Sequence, residues 1–189
     1  GVGGLGSPAS LYLASAGVGH ITLADGDTVD LSNLQRQILH THTRIGQPKA
    51  LSGQTTLAQI NPEVVVETIT EHLRGQALED AVARADVTLA CCDNFTTRHG
   101  AVNGFDGQLS VFDFRDEASP CYNCLFPQGD EAEGAGASPG VFSPLVGIIG
   151  TMQAAETLKI ITGIGQRVTE RLLLLDSLRM EWRSLKFGK

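Results

Sequence analysis

Three features of the sequence predict an α/β fold with a doubly wound, mostly parallel sheet and an added C-terminal antiparallel portion. A glycine-rich turn, Gly1-Val-Gly3-Gly4-Leu-Gly6, opens straight into a helical stretch. Over the first half, β-branched apolar segments alternate with helical ones, the pattern that places parallel strands between crossover helices. A long apolar helix near the C-terminus is followed by two short strands with little between them, which suits antiparallel pairing. The combination is Rossmann-like.

The elements follow in order. A helix is expected from about Leu5 to Ala16, entered through the glycine turn, and His20-Ile-Thr-Leu-Ala24 reads as a strand ending at Asp25. Ser32 is the expected N-cap of a short helix, on which the i, i+3, i+4 spacing sets Asn33, Arg36 and Gln37 on one face. Pro48 suits the first turn of the next helix, which should run to about Ile60 before Asn61-Pro62 ends it. Val64 to Thr70 is a β-branched strand, Ala77 to Ala85 a helix, and Val87 to Cys91 a buried strand. Beyond Asp93 the alternation fails, because Gly100 to Gly107 supply neither a helix nor a strand. A parallel crossover needs a dozen or more residues there, so two segments are expected to be joined near His99-Gly100. Gln108 to Phe114 alternates like a strand, Gln128 to Pro139 is an acidic glycine-rich loop, Ser143 to Thr162 is a long apolar helix, and Arg171 to Leu175 and Glu181 to Leu185 are strands. The chain opens on Gly1 inside a motif normally fed by a strand, so a preceding strand is expected.

With 189 residues, 42% of them hydrophobic and 19% charged, the chain reads as one globular domain over 1–189. The net charge of −7 gives no basic field for a nucleic-acid backbone or an anionic membrane. No apolar run approaches the ~20 residues that span a bilayer, and a cytoplasmic location is expected. The four cysteines form two close pairs, Cys91-Cys92 and Cys121-Tyr-Asn-Cys124, which suit reduced thiols or a metal better than a secreted disulfide framework. Cys91 and Cys92 read as filling of the sheet core.

The glycine turn fits G-x-G-x-x-G, in which glycines let the backbone approach phosphates and a helix N-terminus offers partial positive charge. Asp25 stands 19 residues after Gly6, at the end of the second strand, where a carboxylate can accept from ribose hydroxyls. These features make a nucleotide site without separating NAD from ATP. Attack of a carboxylate on an α-phosphorus requires cations, and usually Mg²⁺, to meet charge on the phosphate oxygens, whereas hydride transfer does not. Arg36 and Asn33 lie just beyond the ribose acid, Lys49 opens the next helix, and Asp93 follows a strand at the carboxyl edge of the sheet, where a carboxylate suits Mg²⁺. The histidines, His20, His40, His42, His72 and His99, show no metal-ligand spacing beyond His40-x-His42, which reads as a solvated loop. Trp182 reads as a packing residue.

On several stretches the chain resembles the ThiF/MoeB/HesA family of sulfur-carrier adenylyltransferases, bacterial relatives of ubiquitin-activating enzymes. They are Gly1 to Pro8, Asp25-Gly-Asp27, Leu31-Ser-Asn-Leu-Gln-Arg-Gln37, Gly46-Gln-Pro-Lys49, Cys92-Asp-Asn94, Gly107 to Phe112, Pro120-Cys-Tyr-Asn-Cys124 and Gly147 to Gln153. The resemblance covers nearly the whole chain, and the Ser-Asn-Leu-Gln-Arg-Gln run is its most specific part. It implies an enzyme that binds ATP and Mg²⁺ and activates the C-terminal glycine of a ubiquitin-like sulfur-carrier protein as an acyl adenylate. Gly3 and Gly4 would meet the phosphates and Asp25 the ribose, with Asp27 beside it. Ser32, Asn33, Arg36 and Lys49 would surround the triphosphate, Gln37 and Asn94 would support the site, and Asp93 would hold Mg²⁺. It further implies a homodimer completed by an upstream arginine, and a cysteine desulfurase or sulfurtransferase as a further partner. Which carrier and pathway are served, thiamine or molybdopterin, is not written in these residues.

Two departures qualify the resemblance. The family usually binds a structural zinc with two Cys-x-x-Cys pairs, and here only Cys121 and Cys124 are present. Some members carry a loop cysteine that takes the activated carrier covalently, and this chain has Gly136 near that place. A non-catalytic nucleotide- or carrier-binding module and a nicotinamide-dependent dehydrogenase are the alternative readings.

Overall fold

The computed structural model describes residues 1–91, 100–113, 119–125 and 140–189. In chain order the elements are α1 (Gly6–Ser15), β1 (His20–Ala24), α2 (Lys49–Ile60), β2 (Val65–Ile69), α3 (Gly75–Ala83), β3 (Gly100–Asn103), β4 (Asp106–Leu109), α4 (Tyr122–Leu125), α5 (Ser143–Thr162), β5 (Arg171–Asp176) and β6 (Glu181–Lys186). β1 and β2 pair in parallel, His20 opposite Val65 and Ala24 opposite Ile69. The C-terminal sheet is antiparallel in the order β3-β4-β5-β6. The mixed α/β architecture with a parallel part and a C-terminal antiparallel part is the one the sequence predicts.

Two apolar clusters hold these layers together. Val2, Leu13, Ile21, Leu23, Leu39 and Leu57 pack around the parallel pair between α1 and α2. Leu5, Cys91, Leu145, Val146, Ile149 and Leu175 form a second cluster under α5. Leu39, Leu57, Leu145 and Ile149 are fully buried, each contributing about 1.5–3 kcal/mol against leaving the side chain exposed. α5 serves both clusters, because Ala154 belongs to the first and Ile149 to the second. Its close approach to α1 depends on Gly150, where a Cβ would sit 2.3 Å from the Leu5 carbonyl oxygen. Gly147, one turn earlier on the same helix, has nothing within 4 Å of a Cβ and faces open space. The helix ends at Gly163, whose φ of 71° is the left-handed conformation a helix C-terminus favours.

Three local expectations are corrected. Val87 to Cys91 forms no strand ladder among the described residues. The Ala90 carbonyl accepts instead from the Gln153 side-chain amide at 3.1 Å, and the Cys91 thiol faces Gln153 Oε1 at 3.5 Å. Cys91 is nonetheless buried in the second cluster, as its core reading requires. Gly100 to Gly107 is not empty of structure, since β3 and β4 make a hairpin that turns at Gly104-Phe105 with Gly104 at φ 57°. Gly104 at the first central position of this two-residue turn is the signal that a search for alternation overlooks. The strand expected over Gln108 to Phe114 is accordingly β4, displaced toward the hairpin, with Val111 bridging Thr169 alone. Residues 92–99 and 126–139, where a junction and an acidic loop are expected, lie outside the described residues, as does Gly136. Trp182, read as packing, lies on the all-exposed edge strand β6 and is 44% exposed.

Candidate functional site

The site is built on the glycine turn that precedes α1. The Gly3 carbonyl accepts from Ser7 N–H at 2.9 Å, so the helix begins there and the amides before Ser7 stand in the first turn, where intrahelical acceptors are missing. Below the turn, Val2 is 1% exposed and held at both polar ends. Its N–H donates to Asp25 Oδ2 at 2.7 Å, and its carbonyl accepts from His40 Nε2 at 2.9 Å. The other Asp25 oxygen accepts from the Asp27 N–H at 2.9 Å. A carboxylate has about four lone-pair directions, so Asp25 retains acceptor capacity for a hydroxyl.

Lys49 reaches the same end of β1 because residues 27–29 run antiparallel to 46–49. Val29 N–H donates to the Gln47 carbonyl at 2.8 Å and Lys49 N–H to the Asp27 carbonyl at 2.9 Å. Gly46, at φ 85°, makes the turn that returns the chain. The Lys49 side chain is buried to 6% exposure and its Nζ donates to Asp27 Oδ2 at 2.8 Å. That hydrogen bond holds the Asp27 carboxyl below its ordinary range, with the nearby Lys49 and His72 charges acting the same way against a partial burial penalty. His72 closes over this corner, its ring 2.6 Å from where a Cβ on Gly26 would stand, and it lies 3.5 Å from Asp27 Oδ1.

The other wall comes from residues 31–37. The expected helix is a single 3-10 turn, Leu31–Asn33, and its cap is Asp30 rather than Ser32. Asp30 Oδ1 accepts from both the Ser32 N–H at 2.7 Å and its hydroxyl at 2.5 Å, an Asx-type arrangement that Asp performs better than Ser. These bonds hold the exposed Asp30 carboxyl below its ordinary range. Turns continue through Arg36 and Gln37, whose N–H groups both return to the Asn33 carbonyl, so the three side chains share a face as the spacing predicts. Arg36 Nη2 donates to Asn33 Oδ1 at 2.9 Å. Arg36 Cγ lies 3.5 Å from the position of a Cβ on Gly4, and Gln37 Nε2 lies 3.4 Å from that on Gly3. Gln37 is buried, and its Oε1 has no hydrogen-bond partner among the described residues. Beside Arg36 opens a cleft of about 320 Å³ lined by Pro8, Gln35, Ile38, Ser143 and Gly147. A larger groove of about 870 Å³ lies by β5 and β6, lined by Asp113, Arg167, Arg171 and Lys186, and includes no residue of the glycine turn.

The structure thus brings Gly3, Gly4, Asn33, Arg36 and Gln37 together on one side of the turn, and Asp25, Asp27 and Lys49 on the other. Ser32 is exposed and committed to Asp30. Asp93 and Asn94 lie outside the described residues. Cys121 and Cys124 are thiols with sulfurs 3.6 Å apart, close to the ~3.8 Å edge of a tetrahedron with Zn–S near 2.3 Å, so the pair fits two positions of a zinc site. No group of three or more His, Cys, Asp or Glu that could hold a metal occurs among the described residues. Sequence reasoning missed His40. It is 6% exposed, not solvated, and joins Val2 to Ser52. Only its place beside the buried Leu39, one turn after Gln37, hinted at this. His42, by contrast, is exposed as expected.

A glycine turn backed by a strand-end acid, with an arginine over one face and a lysine-carboxylate pair on the other, defines an α/β protein of Rossmann-like build. Among solved structures the fold is that of Escherichia coli MccB. The structure of that protein with MccA-N7isoASN superposes at a TM-score of 0.86 over all of this chain and 63% of that one, at 21% identity. The chain belongs to the ThiF family, whose pattern matches residues 1–189. It is 46% identical over 200 residues to the sulfur carrier protein ThiS adenylyltransferase of Escherichia coli K12, covering 98% of this chain and 79% of that protein. It is 38% identical over 201 residues to the molybdopterin-synthase adenylyltransferase of the same organism, covering 98% and 80%. A sulfur carrier protein adenylyltransferase of Thermus thermophilus is 38% identical over 205 residues, covering 98% and 76%. No helix among the described residues is long and apolar enough to cross a membrane.

Proposed function

We propose that the protein is an ATP-dependent adenylyltransferase that activates the C-terminal glycine carboxylate of a ubiquitin-like sulfur carrier of the ThiS or MoaD type, releasing pyrophosphate. The observation that carries this reading is Arg36, whose stem lies against Gly4 of the phosphate turn with its guanidinium steadied by Asn33. The curated relatives favour adenylation over a nicotinamide dehydrogenase and over a non-catalytic module.

Residues 1–189 act as one adenylation domain. Gly3 and Gly4 receive the phosphates, and Asp25, with Asp27 beside it, receives the ribose hydroxyls. Arg36 and Lys49 meet charge on the phosphate oxygens as the carboxylate attacks the α-phosphorus, with Ser32, Asn33 and Gln37 ordering the surrounding turn. No general base is required, since the attacking carboxylate is ionised at pH 7. Alignment and preorganised charge therefore supply the rate. When bound, Mg²⁺ polarises the phosphate oxygens; Asp93 would hold it, with Asn94 supporting the site. Cys121 and Cys124 would supply two thiolates to a structural zinc. The working protein is a cytoplasmic homodimer, its dimeric state supported by the exposed apolar side chains of Leu31 and Ile38, and it hands its product to a sulfurtransferase or cysteine desulfurase partner.

The test is carrier-dependent exchange of labelled pyrophosphate into ATP. Arg36→Ala should lower the rate by about 10²-fold, the scale of one preorganised transition-state donor, with an unchanged urea midpoint because the side chain is only half-buried. Exchange at the wild-type rate would remove Arg36, and with it the reading it carries.

A further inference from the structure

The phosphate turn is shaped from below as well as lined from above, and the residue beneath it is His40. Its ring lies between two partners, Val2 carbonyl at 2.9 Å from Nε2 and Ser52 hydroxyl at 2.9 Å from Nδ1. A carbonyl can only accept, so Nε2 carries the proton. In the neutral ring Nδ1 is then the acceptor, and the Ser52 hydroxyl donates to it. Ser52 is fully buried on α2, and Arg44 donates to its backbone carbonyl at 2.8 Å. The neighbouring Leu39 fills the space under Gly53, where a Cβ would lie 2.9 Å from its methyl. The ring therefore has one position and one tautomer.

What this does to the turn follows from peptide geometry. In a planar trans peptide the carbonyl of one residue and the N–H of the next point in opposite directions. With the Val2 carbonyl drawn down to His40, the Gly3 N–H of the same plane is directed away from His40, while Gln37 Nε2 lies 3.4 Å from the position of a Cβ on Gly3 and Arg36 Cγ 3.5 Å from that on Gly4. Asp25 fixes the preceding plane by holding the Val2 N–H at 2.7 Å. His40 also ends the turn that carries Arg36 and Gln37, its own N–H donating to the Gln37 carbonyl at 3.1 Å. One short segment thus supplies the side chains above the phosphate turn and the anchor under it.

We infer that His40 is a positioning residue for nucleotide binding, which through the Val2 carbonyl aims the Gly3 N–H at a phosphate oxygen. This rests on the adenylation reading only for its effect on turnover, since the effect on ATP binding is separate.

The test compares two amides. In His40→Gln the side-chain nitrogen reaches the place of Nε2 and still donates to Val2, whereas in His40→Asn it reaches only the place of Nδ1 and serves Ser52 alone. The Kd for ATP is measured by calorimetry, and KM for ATP and kcat by pyrophosphate exchange, on variants shown to be folded by their urea midpoints. His40→Gln should bind ATP within about twofold of the wild type, and His40→Asn should weaken Kd and KM by about tenfold, the scale of one hydrogen bond, with kcat nearly unchanged. Equal ATP affinity in the two variants would overturn the assignment, and so would a loss in kcat alone. Should the wild type bind ATP yet show no carrier-dependent exchange, the adenylation reading would fail while the Gln-against-Asn comparison of Kd would still decide the role of His40.

Discussion

Gly150→Ala tests whether the crossing of α5 over α1 sets the position of the phosphate turn. An added Cβ would stand 2.3 Å from the Leu5 carbonyl oxygen, 2.7 Å from Pro8 Cγ and 3.1 Å from the Leu5 carbonyl carbon, where separations under 3.0 Å are essentially never seen. Two of the three obstacles are backbone atoms, which cannot rotate aside, so the helices must part or Leu5 must move. Against this stands the gain of about 1 kcal/mol that Ala brings to a helix interior in place of Gly. Overpacking costs ~1–3 kcal/mol and more where nothing can yield, so a net loss of about 1–2 kcal/mol is expected. Gly147→Ala is the internal control, because the same helix gains the same propensity at a position with nothing within 4 Å. It should stabilise by about 0.5–1 kcal/mol. The two variants should therefore differ by roughly 1.5–3 kcal/mol in urea unfolding, or ~3–12 °C in Tm for a chain of this size. Because Leu5 belongs to the phosphate turn, Gly150→Ala should also raise KM for ATP, while Gly147→Ala leaves it unchanged. A Gly150→Ala protein as stable as the control would refute the argument that this contact controls the approach of the helices.

The remaining predictions concern Asp25 and His40. Asp25 accepts from two backbone N–H groups, and an amide in its place would turn a donor toward one of them, so Asp25→Asn should cost about 1–3 kcal/mol of stability. Loss of ATP binding in that variant is therefore not proof of a ribose contact. The ribose role instead predicts that the wild type discriminates ATP from its 2′-deoxy and 3′-deoxy analogues by calorimetry and that Asp25→Asn does not; a wild type indifferent to both analogues would rule the contact out. For His40, burial pushes the imidazole below its ordinary 6.5, with the Val2 carbonyl and the Asp25 charge opposing and the Lys49 and Arg44 charges assisting. The unfolded chain then takes up the proton first as pH falls, so its contribution to stability is whole above about 6.5 and declines below it. Urea unfolding from pH 7.5 to 5 should show a slope that His40→Gln reduces, and identical slopes would show that His40 titrates alike in the folded and unfolded chain.

How much of this was legible in the sequence depended on the range of the interaction. β1, α2 and α5 were readable because periodicity, Pro48 and the Asn61-Pro62 stop are local signals. The shared face of Asn33, Arg36 and Gln37 was readable because it depends on spacing within one turn. The cap moved from Ser32 to Asp30 because two adjacent capping residues compete and only the backbone path decides between them. The β3-β4 hairpin was hidden because Gly107 sits under Ile149, so a strand position that usually shows an apolar side chain shows none. His40 was illegible because its partners lie 38 residues back and 12 residues on, and no local pattern joins them.

The same reasoning explains why motif residues and site residues are not one set. Asp25 and Asp27 read as nucleotide contacts because they follow a strand at the expected distance from the glycines. In the fold they first satisfy the protein's own groups, the Val2 N–H and the buried Lys49 ammonium. Both demands push in one direction: a carboxylate needed to hold the turn and neutralise a buried cation cannot be lost without loosening the backbone of the glycine turn itself. The acid at the end of β1 is thus under structural and chemical constraint together, whereas Arg36, half-buried and bonded among the described residues only to Asn33 in its own turn, can be removed with little cost to the fold. That asymmetry makes Arg36, rather than Asp25 or Lys49, the residue whose substitution reports on chemistry alone.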